Sequence, residues 1–324
     1  MSTTLTDAPR TERTPGPRML HGLSWLVVRQ HRAALLSLLA VAVLGSIWIV
    51  YERSRMKDLL DAAGWPGKEL AQPAFDSGSV SLVITALGGL PMILAVFVGA
   101  PLIAGDQEQG TAQLVTTQSV SRRRWMATKF AWCYAAVTVT AALLSALFTW
   151  WWKPYRSVFP GEWWEGSVFD STGPMLPALC LFTTAAGITI GVLVRRVVAS
   201  MAITFVFAAA VGVFWDEMLV HLAPTRTIVY PLDADMPSRV NGSFEVDRWI
   251  GSADGRLYGW GLCAKPTEEA SDACVKEHGI VNNVYEYLGF DQMPAMQWTG
   301  AAILLAGAAV LTAFVLWRVS RRPL

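Results

Sequence analysis

Few residues in this chain have the type and spacing needed for covalent chemistry. The four histidines, His21, His31, His221 and His278, are scattered. No G-x-x-x-x-G-K-[ST] phosphate loop, H-E-x-x-H helix or G-x-S-x-G nucleophile elbow occurs. No Cys/His group has metal-ligand spacing. What the sequence offers instead is charge in chosen places. The stretch AGDQEQGTAQLVTTQSVSRRRWMATKF, residues 104–130, carries Asp106 and Glu108, then Gly110-Thr111, then Arg122, Arg123, Arg124 and Lys129. Its chemistry is non-covalent docking, either to anionic lipid headgroups or to another protein. Asp216 and Glu217, in VFWDEMLVHL, are the acids nearest the inside of an apolar run. They read either as a substrate or proton site or as a helix end at an interface.

The elements that position these charges are apolar. Of 324 residues, 53% are hydrophobic and only 16% charged; soluble domains carry about a quarter charged residues, so the composition is that of a membrane protein. A hydrocarbon core of about 30 Å takes about 20 apolar residues per helix. Six runs qualify: residues 33–51, 80–104, 130–152, 175–194, 197–221 and 298–317. The fourth and fifth are separated only by Arg195-Arg196, which makes a tight hairpin. The predicted fold is an all-α polytopic membrane protein with six transmembrane helices, a short polar inner helix and a sizeable outer loop. Residues 1–16 read as a disordered polar tail. Residues 17–221 then hold an interfacial helix and five spans, 222–297 an outer subdomain, and 298–324 the last span with a basic tail.

Six spans put both termini on one side. With that side inside, the inner segments hold 14 of the 26 Lys and Arg and only 4 of the 25 acids, so the positive-inside rule predicts a plasma-membrane protein with cytoplasmic termini. Tyr51, Trp150 to Trp152, Trp163, Trp164 and Trp298 fall at the outer interface, where amphipathic rings prefer to sit. Cys133 and Cys180 lie within spans and read as small packing residues. Cys263 and Cys274 share the last outer loop, where an oxidising exterior permits a disulfide; two free thiols are the alternative. In that loop, alternation from Ser243 and the turns NGS and ADG suggest short strands, and residues 280–292 read as a short amphipathic helix. A further helix is expected near Met56 to Ala63. Leu20, Leu23, Leu26 and Val27 can share the face of an interfacial helix, with Arg29, Gln30 and Arg32 at the membrane boundary.

With these residues set out, GAPLIAGDQEQGTAQLVTTQSVSRRRWMATKF resembles the loop between the second and third spans of ABC-2-type ABC transporter permeases, in an actinobacterial-like form. Glu108, Gly110, Thr111, Gln118, Ser119, Val120, Ser121, Arg122 and Lys129 carry the match. The chain departs at Gly105, where Arg is usual, and at Asp106, where Glu is usual. LSWLVVRQHRAALL is similar to the family's N-terminal interfacial helix, with Trp25, Arg29, His31 and Arg32 in place. The sixth run and its basic tail also resemble the family's.

The resemblance implies a non-catalytic permease half, paired with a second copy or a sister subunit. A coupling helix at about 108–120, with Glu108, Gly110, Thr111, Gln113, Leu114, Gln118 and Arg122, would sit in a groove of a separate ATP-binding subunit present in two copies. ATP and Mg would belong to that partner, and this chain would bind no cofactor, metal or nucleic acid. Export of a hydrophobic or amphipathic compound, a drug, antibiotic or lipid, is what the family implies. The second and fifth spans would line the path at the dimer interface, with Gly88, Gly89, Gly99 and Gly212 permitting close helix approach there or within one subunit. A membrane sensor with a ligand-binding outer loop is the alternative. A membrane enzyme and a proton-coupled transporter are disfavoured, the first by the missing catalytic constellation and the second by the scarcity of charge at membrane depth.

Overall fold

Hydrocarbon satisfies no backbone hydrogen bond, so apolar runs of this length fold as helices. In the computed structural model, which describes residues 23–68, 77–110 and 121–321, six helices are long and apolar enough to cross a membrane. Helix α1 (Leu23–Gln30) leads through His31 into α2 (Arg32–Ala63), the first span. The second span consists of α3 (Ser77–Leu94), a π-helical turn (Ala95–Gly99) and α4 (Pro101–Glu108). The third is α5 (Arg122–Tyr155). A single turn, α6 (Gly166–Phe169), precedes α7 (Met175–Val194) and α8 (Val197–Met218), the fourth and fifth spans. Then come β1 (Arg226–Pro231), β2 (Phe244–Ser252), β3 (Leu257–Gly259), α9 (Glu268–Glu277) and β4 (Ile280–Leu288). The sixth span is α10 (Met293–Arg321). An even number of spans leaves Leu23 and Arg321 on one face, the terminal face; the strands lie on the other, the sheet face.

Helix α7 is the hub, packed against the second span, α5, α8 and α10. Two-thirds of its apolar window is buried (67%), against 17% for α2 and for α8, which are therefore peripheral. Burial of apolar surface does not drive helices together in lipid, so close packing must do it. Gly99, Gly187 and Gly191 make that possible. A Cβ added to them would lie 2.7 Å from the Thr184 carbonyl oxygen, 2.5 Å from that of Ala95 and 2.4 Å from that of Ala100. The contact surrounds the π turn, where Ala100 N–H donates to the Ala95 carbonyl at 2.8 Å, five residues back. Pro101 follows directly; it has no N–H to offer and its ring needs room, which the widened turn supplies. Gly99 thus packs within the subunit, whereas added methyls on Gly88, Gly89 and Gly212 would meet nothing within 4 Å.

The membrane part is all-α, and the structure adds detail on the sheet face that the apolar runs do not contain. Helix α2 does not stop at Tyr51. It continues through ERSRMKDLLDAA to a left-handed C-cap at Gly64 (φ 85°), so the helix expected near Met56 is its last three turns. Trp151 Nε1 donates to Met56 Sδ at 3.3 Å and ties this extension to α5.

The segment between the fifth and sixth spans holds a four-stranded antiparallel sheet in the order β1-β4-β2-β3. The amphipathic helix expected over residues 280–292 is replaced by β4 and a 3-10 turn, Phe290–Gln292. IVNNVYEYL is rich in β-branched and aromatic residues. It is also the strand paired on both sides, with Ile228 opposite Tyr285 in β1 and Trp249 opposite Val284 in β2. Two-sided pairing decides its conformation. Cys263 and Cys274 form a disulfide that anchors α9 to the β3–α9 loop.

Candidate functional site at the terminal face

The two acids at the end of the second span are held in different ways, and together they join four helices. Asp106, in the last turns of α4, is buried. Its Oδ1 accepts a hydrogen bond from Gln30 Nε2 at 2.7 Å, and its Oδ2 pairs with the Lys129 ammonium. Lys129 is 1% exposed, the second largest of the fully buried side chains. The Trp125 ring lies 4.4 Å from its Nζ, so the cation meets a carboxylate on one side and a π face on another. Asp106 thereby fastens α1 and α5 to the second span. His31, between α1 and α2, lines a small apolar cleft with Lys129 and Cys133; its Nε2 is buried and unpartnered among the described residues.

Glu108, one half-turn on, points the other way. Its Oε2 accepts from the Val197 N–H at 2.9 Å. That N–H is an orphan donor of the first turn of α8, and a carboxylate there also complements the helix dipole. The α7–α8 hairpin delivers it: Arg195 takes the left-handed conformation (φ 62°) and Arg196 the extended N-cap conformation. Gly110 ends the segment at φ 69°, a conformation that suits glycine.

On the far side of the loop, Ser121 caps α5, its Oγ accepting from Arg124 N–H at 3.4 Å. Arg122, Arg123 and Arg124 form the first turn of α5 and reach solvent. Cations at a helix N-terminus oppose the macrodipole, so the α5 start gains nothing from their charge.

Of the residues singled out by sequence, the structure places Glu108, Gly110 and Arg122 at this face. Thr111, Gln113, Leu114 and Gln118 lie outside the described residues. In α1, Arg29 stacks on Trp25 with its Cζ 5.1 Å from the ring centroid. Val27 is buried, Leu23 is partly buried and Leu26 is exposed. Leu20 lies outside the described residues. Arg32 is exposed at the start of α2. Sequence reasoning missed the Asp106–Lys129 pair and the part played by Gln30. The available signal was an acid closing one span and a base opening the next, both within two turns of hydrocarbon.

A family model described as ABC-2 membrane transporter related matches residues 37–220. The chain belongs to this family. It is a multi-pass membrane protein and a permease-type component of a transporter. Neither the curated proteins nor the solved structures contain a match to the chain. The ABC-2 match takes in the first five spans and the whole loop from Glu108 to Ser121, and stops before the sheet. Membrane subunits of this family are generally non-catalytic and work with an ATP-binding subunit. The junction of Asp106, Lys129, Gln30 and Glu108 thus lies where the second and third spans of an ABC-2 membrane domain meet the polar stretch between them.

Proposed function

We propose that this chain is the membrane half of an ATP-driven exporter, with its terminal face in the cytoplasm and its sheet face outside. A separate ATP-binding subunit, in two copies, supplies ATP and Mg. It seats a coupling helix formed by about residues 108–120 in its surface groove. A second permease half, identical or sister, completes the path, and the cargo is a hydrophobic or amphipathic compound such as a drug, antibiotic or lipid. The observation that carries this reading is the attachment of the loop at both ends. Glu108 grips the start of α8 and Asp106 grips Lys129 of α5. A displacement of the loop between them therefore reaches the second, third and fifth spans together. A ligand or partner shifts a conformational equilibrium only through contacts that differ between states, and a loop fastened to three spans supplies such contacts. The excess of Lys and Arg on the terminal side supports the orientation.

The test is purification of the intact chain in mild detergent with identification of what accompanies it. A soluble protein bearing a phosphate loop is expected, and Glu108→Lys or deletion of Thr111 to Gln118 should release it or uncouple transport without removing the chain from the membrane. Unchanged partner binding and transport in both variants would overturn the coupling assignment.

A further inference from the structure

At the sheet-face end of α5 lies an open cavity of about 360 Å³, within the range of small-ligand sites; Arg156 and Glu162 on its wall are exposed. Its walls are aromatic: Trp152, Phe159, Trp163 and Phe290 line it. Trp163 Nε1 donates to the Gly242 carbonyl at 2.8 Å, which ties the turn before β2 to the membrane part. Trp163 and Trp152 each lie 6.0 Å from Phe290, ring centre to ring centre.

Two charges of opposite sign line it, Arg156 and Glu162. Neither has an ion-pair partner among the described residues. Arg156 lies over the Phe290 ring, its Cζ 4.2 Å from the centroid. Ser157 and Asn241 complete the polar part of the lining.

We propose that this cavity binds a zwitterionic aminoalkyl phosphate. The phosphate meets the Arg156 guanidinium. The ammonium lies between Glu162 and the aromatic wall, which attracts cations through its π faces. A purely anionic ligand is disfavoured by the Glu162 carboxylate, and a neutral one leaves both charges unmatched. The site stands at the end of a span, so the ligand is either the headgroup of a phospholipid in the adjoining leaflet or a soluble molecule of the same chemistry. The inference concerns binding to this chain alone and does not rest on the transport reading.

The experiment uses the full chain, delipidated in detergent. Retention of phosphatidylethanolamine and phosphatidylglycerol is compared by native mass spectrometry, and binding of glycerophosphoethanolamine by calorimetry. Phosphatidylethanolamine should be preferred. Arg156→Ala should weaken it about tenfold, the loss of one charge-assisted contact, and Glu162→Gln should shift the preference towards phosphatidylglycerol. Binding of glycerophosphoethanolamine with the same dependence on Arg156 and Glu162 would assign a soluble ligand; its failure beside lipid retention would assign the lipid. Equal retention of both lipids, or indifference to both substitutions, overturns the proposal.

Discussion

Lys129 is a cation almost without contact with solvent, and its position is tolerable only because Asp106 answers it. Removing one member of a buried pair leaves the other charge uncompensated, at a cost of about 3–5 kcal/mol, whereas replacing both by neutral groups of similar volume is often close to neutral. Lys129→Met and Asp106→Asn should each therefore destabilise the solubilised protein strongly, and the double substitution should be clearly more stable than the sum of the singles predicts. Additive losses in denaturation would show that the two residues act separately. Asp170, between α6 and α7 on the sheet face, gives a second prediction. Burial pushes its carboxyl up to about 7; the Trp215 N–H, donating to Oδ1 at 3.1 Å, works against that, and nearby Asp216 adds to it. The folded state thus keeps a proton that the unfolded chain has released above about pH 4. The unfolded state binds fewer protons in this window, so stability falls as pH rises from about 4 to 7. Asp170→Asn, which preserves an acceptor for Trp215, should flatten the dependence of melting temperature on pH over that range. An equal slope in the variant would assign the dependence to other groups.

Among the elements, the contact between the π turn and α7 is set by glycine. Gly191→Ala places a methyl 2.4 Å from the Ala100 carbonyl oxygen, and backbone cannot move aside cheaply. A cost of about 1–3 kcal/mol is expected from overpacking, measured as a lower melting temperature in detergent. Gly88→Ala, whose methyl meets nothing within 4 Å, should leave stability unchanged or raise it slightly, since Ala is the better helix former; a drop equal to that of Gly191→Ala would mean that the contact is not tight. The same elements show what a sequence discloses. Six spans are legible because hydrocarbon length and apolar composition allow little else, and Arg195-Arg196 marks a break that the backbone also makes. The extension of α2 past Tyr51 is hidden, because ERSRMKDLL is polar and yet helical, held by Met56 and Leu60 against α5. The strand β4 is hidden because its fate rests on β1 and β2, more than 25 residues away in sequence. At the terminal face, Asp106 and Lys129 are each visible as charges. Their pairing is not, since it depends on how two spans are set side by side.

At the scale of the whole molecule, the exposed apolar surface is uneven. Helix α8 presents Val198, Phe205, Val206, Val213 and Phe214 outward, Val198 at 80% exposure and Val213 at 71%, while Gly212 beside them leaves open space. Lipid can cover such a surface, but an exposed glycine in it also lets a second helix come close. The proposed exporter needs a second permease half, and α8 is among its least buried spans. Oxidative cross-linking in native membranes separates the two cases. The native thiols are quiet: Cys133 and Cys180 are buried, and Cys263 and Cys274 are joined. Val213→Cys should then give a band at twice the 35.4 kDa chain mass. Val139→Cys, equally exposed on α5 at 67%, serves as the control and should stay monomeric. Cross-linking at Val139 and not at Val213 would move the interface to α5. Cross-linking at neither, in membranes where transport persists, would mean that the other half is a different chain, and the path would then be lined by two unlike fifth spans.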